Sequence, residues 1–216
     1  MLVVAIGQAQ GASKHQSCIG VDVPTEATVQ GPFYREGAPV LALGTDIGEG
    51  HSGEPCYYHG RVTDLAGKPI ANCALDVWSG DGEGFYDMQK GEDASMALRA
   101  RFYTDADGSY RFWSIKPAFY PVPADGPVGG MLHRMGRHPN RPGHMHMMLT
   151  APGHKRLTTH IFVSDSPFID SDAVFGVRNS LIVDFDAHPA GQALDGRTLD
   201  QPFHSARYDF RLVSTA

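Results

Sequence analysis

The run RARFYTDADGSYRFWSI, residues 99–115, constrains the fold more than any other part of this chain. Two aromatic-rich arms flank Asp107 and Gly108, a pair suited to a turn that needs positive φ, so the segment reads as a β-hairpin. The same texture recurs on both sides. PCYYHGRVTD leads through the turn LAGKP into IANCALDVW, and HMHMMLT, RLTTHIFV, NSLIVDF and RYDFRLV follow later. About seven short strands at this spacing, with few helical periods, predict a mainly β chain built as a β-sandwich.

Two stretches interrupt the pattern. SGDGEGFYDMQKGEDASM is rich in Gly and Asp, and KPAFYPVPADGPVGGMLHRMGRHPNRP is rich in Pro, with one short helix expected near Val128 to Met135. Loops this long inside a compact domain are usually functional. Each holds a tyrosine in a conspicuous setting, Tyr86 in GEGFYD and Tyr120 in PAFYPVP. Residues 1–50 lack periodicity and read as an irregular N-terminal arm lying over a single β-sandwich of residues 51–216.

Composition narrows the partner. A net charge of -6 with no basic run argues against nucleic acid and against a membrane surface, which leaves a small molecule as the natural ligand. Cys18, Cys56 and Cys73 are odd in number and lack C-x-x-C spacing, so they predict reduced thiols rather than a disulfide framework or a thiolate zinc site. MLVVAIG is apolar but short and has no basic residue ahead of it, a poor signal peptide and too short to span a bilayer. The expected compartment is the cytoplasm.

NRPGHMHMML, residues 140–149, carries the chemistry. On a strand, side chains alternate with period two, so His144 and His146 share one face while Met145 and Met147 take the other. A cupin site wants a Glu shortly after the pair, where this chain has Leu149, Thr150 and Ala151. A dinuclear hydrolase wants an Asp immediately afterwards, and none is there. Two metal sets stay open. His160 in LTTHIFV completes a three-histidine zinc site with an open position, a hydratase or hydrolase arrangement. Alternatively, two tyrosine phenolates join two imidazoles in an N2O2 set suited to ferric iron, a trication compensating for the lost phenol protons.

GPFYREGAP, LDVWSGDGEGFYD, KPAFYPVPADGPVGGML and GRHPNRPGHMHMMLTAPGHKRLTTHIFV resemble the intradiol ring-cleavage dioxygenases, non-haem ferric enzymes that split catechols between their two hydroxyl-bearing carbons. The resemblance runs from about Thr25 to Val213. It implies a β-sandwich whose loops and strand ends hold one Fe(III) per subunit through Tyr86, Tyr120, His144 and His146, with a catechol and O2 as the small-molecule partners. It further implies that Tyr120 is the ligand that dissociates and takes a substrate proton, and that Arg141 stabilises negative charge on the ring. Gly31, Pro32, Phe33, Val122, Pro123 and Val174 match positions that wall the substrate pocket. His160 stands where the catechol-cleaving members carry Gln. Together with DSDAVFGV it points to the hydroxyquinol-cleaving branch, whose products are diacids of the cis,cis-muconate or maleylacetate type. MLVVAI resembles the tail of the helical linker that pairs subunits in these enzymes, which leaves room for a homodimer but removes most of the helices that would build one.

Overall fold

The computed structural model of the chain describes residues 23–91 and 95–215. MLVVAIG, Cys18 and the rest of the arm up to residue 22 lie outside the described residues. Strands β1 (Pro55–Asp64), β2 (Ala74–Trp78), β3 (Arg99–Tyr103), β4 (Ser109–Ile115), β5 (Tyr120–Pro121), β6 (Asn140–Arg141), β7 (His144–Thr150) and β8 (Leu157–Val163) come first. They are followed by β9 (Ile182–Val183), β10 (Phe185–His188), β11 (Gly191–Gln192), β12 (Thr198–Leu199), β13 (Phe203–Arg207) and β14 (Phe210–Leu212). One helix, α1 (Pro127–Arg134), lies close to the expected Val128 to Met135 and opens on a proline at its first turn. The chain is mainly β, as the turn-punctuated pattern predicts.

The strands form two main sheets. In the first, β1 is central: β4 pairs antiparallel on one side, and β13 then β14 pair parallel along the other, with β10 outside β13. The second has the order β3-β2-β7-β8-β9. Between them lies one apolar core that includes Tyr58, Val62, Leu75, Val77, Phe102, Phe112, Met145, Met147 and Leu149.

The expected hairpin is overturned. The turn forms, with Gly108 at φ 75° and its N–H donating to Asp105 O (3.0 Å), but β3 pairs with β2 and β4 pairs with β1. The two arms are therefore an arch between sheets, and Phe102 stacks on Phe112 across the core at 5.0 Å. Both outer edges are occupied by the arm. Arg101 N donates to Pro39 O (2.8 Å) and Leu41 N to Arg101 O (2.9 Å), while Trp113 N donates to Thr45 O and Ile47 N to Trp113 O (both 2.9 Å). Residues 39–47 thus pass from the edge of one sheet to the edge of the other, with Leu41, Leu43 and Ile47 packed on the core. An irregular sequence serves as the cover for two strand edges that would otherwise be unpaired.

NSLIVDF divides as well. Asn179–Leu181 is a single 3-10 turn, after which β9 joins β8 in one sheet and β10 joins β13 in the other. β13, FHSAR, lacks the apolar alternation that marks strands and is missed by pattern reading. Cys56 and Cys73 are buried free thiols. Among the described residues no helix is long and apolar enough to cross a membrane.

Gly60 of β1 sits where β13 ends and β14 begins. A Cβ there would lie 1.9 Å from the Tyr208 carbonyl oxygen, which also accepts the Tyr110 hydroxyl at 2.7 Å. Gly60→Ala must displace that backbone, so we expect a loss of about 3 kcal/mol. The midpoint of thermal unfolding, followed by circular dichroism, should fall by about 6–12 °C. An unchanged midpoint would show that the two backbones do not approach this closely.

Candidate active site

The second sheet has two unlike faces. Along β7, Met145, Met147 and Leu149 enter the sandwich core while His144, His146 and Met148 face the other way, and all six are buried. β2 and β3 repeat the division, with Leu75, Val77, Ala100 and Phe102 inward and Asp76, Trp78, Arg99 and Arg101 outward. In register, His146 pairs with Trp78 of β2 and with His160 of β8, so three strands bring their polar side chains to one place. The ligating nitrogens of His144, His146 and His160 lie within 4.8 Å of one another.

Ring orientation is fixed from behind. His144 Nδ1 lies 2.8 Å from the Pro142 carbonyl oxygen, an acceptor only, so Nδ1 carries the proton and Nε2 the lone pair. Trp78 stacks on His146 at 4.6 Å with rings 12° from parallel. Tyr86 Oη lies 3.1 Å from His146 Nε2 and 3.4 Å from His144 Nε2.

The tyrosine loops are clamped rather than loose. The Asp81 carboxylate accepts the backbone N–H groups of Glu83 and Phe85 and the Lys90 ammonium, at 3.0, 2.9 and 2.6 Å, which curls the loop ahead of Tyr86. Immediately after Tyr86, buried Asp87 takes both forks of the Arg99 guanidinium, with Nε at 2.7 Å, and Arg35 Nη1 at 3.2 Å. Arg99 also donates to Phe33 O (3.1 Å), and the Phe33 ring stacks on Tyr86 at 4.3 Å. Tyr120 is set by a two-residue ladder in which it pairs with Arg141. The two loops meet at Gly84, at φ 85°, where a Cβ would fall 2.6 Å from Tyr120 Cβ.

Arg141 is buried, and Asp172 holds it through Nε and Nη2 at 3.1 and 3.4 Å. Its Nη1 points to His144 Nε2 at 3.3 Å, and the Tyr120 ring lies 5.5 Å from that of Tyr86 and 5.6 Å from that of His144. Burial works against the Arg141 charge, yet Tyr120 and Asp172 hold the group protonated. Burial and then the nearby Arg141 cation pull His144 down to about 3. His146 and His160 are likewise held neutral, by burial and by the neighbouring cations and rings. Burial next to Tyr120 pushes the Tyr86 phenol well above its ordinary value. Neutral imidazoles with an inward Nε2 and two adjoining phenols are a donor set that a hard trivalent cation fits, since the cation supplies the charge that burial denies a Tyr86 phenolate.

Tyr86, Tyr120, His144, His146, His160 and Arg141, all singled out from sequence, thus come together. Gly31, at φ 75°, backs the His146 ring, where a Cβ would sit 3.3 Å from Cε1. Phe33 stacks on Tyr86, Val122 is bonded through its N–H to Pro139 O, and Val174 stands half exposed on the loop after Asp172. Pro32 and Pro123 are exposed. Asp87, Arg99, Asp172 and Trp78 were not anticipated. Asp87 adjoins Tyr86 in the sequence, but Arg99 and Asp172 reach the site only through the fold.

A family model described as Dioxygenase matches residues 29–214. Over 190 residues the chain is 48% identical to hydroxyquinol 1,2-dioxygenase of Nocardioides simplex, an alignment covering 88% of this chain and 64% of that one. It is 34% identical over 201 residues to catechol 1,2-dioxygenase of Acinetobacter baylyi, covering 91% and 65%. The crystal structure of hydroxyquinol 1,2-dioxygenase from Pseudomonas putida DLL-E4 superimposes with a TM-score of 0.84 at 40% identity, over 91% of this chain and 68% of that one. The chain therefore spans just under two thirds of the length of the curated relatives it matches.

Two outcomes follow from the site's charges. Arg99→Met leaves Asp87 a buried carboxylate with only Arg35 beside it and should lower the unfolding free energy by about 3 kcal/mol, while Asp87→Asn with Arg99→Met should recover much of that loss. Denaturant unfolding of the three proteins checks this, and equal loss in the single and double variants would refute it. Below about pH 6.5 the unfolded metal-free chain binds protons at these histidines that the folded chain refuses. Stability should then fall as pH drops from 6.5 toward 3, by up to about 1.4 kcal/mol per pH unit for each ring, and His160→Gln should flatten the slope.

Proposed function

This chain belongs to the intradiol ring-cleavage dioxygenase family, and from that premise we propose that it binds one ferric ion per subunit and cleaves a catechol-type ring with O2. The observation that carries the reading is the position of the Tyr86 hydroxyl beside Nε2 of both His144 and His146, with Tyr120 adjoining. Tyr86, Tyr120, His144 and His146 would hold the ion. Ferric iron in such an N2O2 set supplies an electron-accepting centre that activates a chelated catechol toward O2.

The protein's own groups do the rest. Tyr120, paired with Arg141 in the β5–β6 ladder, would be a phenolate when it holds the ion, and that phenolate oxygen would be the proton acceptor for a substrate hydroxyl. Arg141, fixed by Asp172 and carrying a permanent charge, stabilises negative charge that develops on the ring. Trp78 and Phe33 close the apolar side of the site and keep water from the reacting atoms. Gly31, Pro32, Phe33, Val122, Pro123 and Val174 would wall the ring pocket, within a catalytic sandwich of residues 51–216 covered by the arm.

Hydroxyquinol, or a related and bulkier catechol, is the proposed substrate, and a cis,cis-muconate or maleylacetate type diacid the product. Support comes from the 48% identity to a hydroxyquinol 1,2-dioxygenase and from His160 in place of Gln. The close approach of His144, His146 and His160 is what favours the second reading, a three-histidine zinc hydratase or hydrolase. Family membership and the buried phenols weigh against it.

Purified protein reconstituted with iron should be burgundy from tyrosinate-to-ferric charge transfer, and the band should shift on adding a catechol without oxygen. Oxygen uptake across catechol, hydroxyquinol, protocatechuate and larger catechols should be fastest with hydroxyquinol or a close relative. Tyr86→Phe and His144→Ala should retain less than about a tenth of the wild-type iron, since each removes one of four ligands. Colourless protein with stoichiometric zinc, or full iron occupancy in either variant, would overturn the assignment.

A further inference from the structure

We propose that Thr28 is a positioning residue: its hydroxyl donates to Nδ1 of His160, holds that ring as the Nε2–H tautomer, and so presents a hydrogen-bond donor to an oxygen of the bound substrate. Identification of that oxygen as the substrate's rests on the ferric dioxygenase reading. The tautomer does not.

The arm places Thr28 firmly. Its N–H donates to Thr158 O (2.9 Å), Thr159 Oγ1 donates to Glu26 O (2.7 Å), and Thr25 exchanges hydrogen bonds with Arg211 through its N–H (3.1 Å) and its Oγ1 (2.9 Å). The Thr28 hydroxyl then meets His160 Nδ1 at 2.7 Å. The contrast with His144 is chemical. Behind His144 stands a carbonyl oxygen, which can only accept and therefore forces a bare Nε2, the state of a metal ligand.

Behind His160 stands a hydroxyl, which can donate. Among the described residues it has no other hydrogen-bond partner, and a bare Nδ1 is the acceptor that this hydroxyl proton finds at 2.7 Å. His160 Nε2 is itself buried and without a partner among the described residues, and its ring packs 4.2 Å from that of His146 and 4.9 Å from that of His144. A protonated Nε2 is not a metal donor. His144 and His160 thereby separate into a ligand and a hydrogen-bond donor, a division set by what stands behind each of these two rings.

The test reads the ring directly. Full-length protein labelled with 15N-histidine, metal-free and loaded with diamagnetic gallium(III), is examined by long-range proton–nitrogen correlation, with His160→Gln assigning the signal. Wild type should show a bare Nδ1 and a protonated Nε2 at His160, Thr28→Ser should keep that pattern, and Thr28→Val should lose it. In the iron-loaded enzyme Thr28→Val should lower kcat about tenfold, with KM within about twofold and iron content unchanged, and Thr28→Ser should restore most of the rate. A wild-type ring protonated at Nδ1, or an unchanged ring pattern in Thr28→Val whatever its activity, overturns the proposal. Should Thr28→Val fail to fold, the wild-type and Thr28→Ser patterns decide, since Nδ1 protonation in either sinks it. Failure of the ferric reading shows separately, as loss of colour and oxygen uptake with the His160 pattern intact.

Discussion

Everything in the site depends on one strand being buried on both faces. β7 sends Met145, Met147 and Leu149 into the sandwich and His144, His146 and Met148 into a second layer beneath the loops. A strand in this position cannot slip by one residue without putting imidazoles in the core and thioethers at the site, so the hydrophobic core and the histidine face fix one another's register. The neighbours obey the same rule. Trp78 and His160 reach His146 only because β2 and β8 share its register.

Among the described residues the second layer has only the short β5–β6 ladder as a sheet of its own, and buried polar connections hold the rest. Asp81 curls the loop before Tyr86, Asp87 binds Arg99 and Arg35 just after it, and Gly84 lets the Tyr120 loop approach to contact distance. Buried ion pairs of this kind contribute little net stability compared with apolar packing but penalise every arrangement that leaves one partner unpaired. Arg99 illustrates the division of labour. Its neighbour Ala100 packs in the core, while its own guanidinium ties Asp87 and the Phe33 carbonyl to the sheet. Rigidity at Tyr86 is therefore inherited from β3, a strand that supplies no proposed ligand.

Much of this was legible in the sequence, for reasons that also explain what was not. Period-two alternation in HMHMML assigns faces correctly because alternation is a local property of the strand. Tyr86 and Tyr120 stand out because long loops rich in Gly or Pro isolate them. The hairpin of residues 99–115 was misread because turn chemistry specifies that the chain reverses, not which edge each arm then bonds to. Ala100, Phe102, Tyr110 and Phe112 are satisfied equally by a hairpin and by an arch, and the arm at residues 39–47 decides between them by occupying both edges. Arg99, Asp172 and Thr28 were invisible for a related reason. Each acts through a partner between 12 and 132 residues away, with no spacing rule connecting them.

Charge pairing sharpens what the site is built to receive. Arg99 with Asp87, Arg101 with Asp76 and Arg141 with Asp172 each form a buried or half-buried pair, so the carboxylates and guanidinium groups around the histidines are mutually compensated. What they leave over is a pair of adjoining phenols and the neutral imidazoles. Burial holds the Tyr86 phenol protonated, so neither compensation nor solvent can turn it into a donor at ordinary pH. Only a strongly charged cation can draw off the proton, and a divalent ion would leave two phenolates just balanced, whereas a trivalent ion leaves a residual positive charge for an anionic ring. Under the proposed ferric reading, the surroundings that disfavour a free Tyr86 phenolate would favour a trivalent ion over a less charged one and would tie uptake of the metal to release of protons.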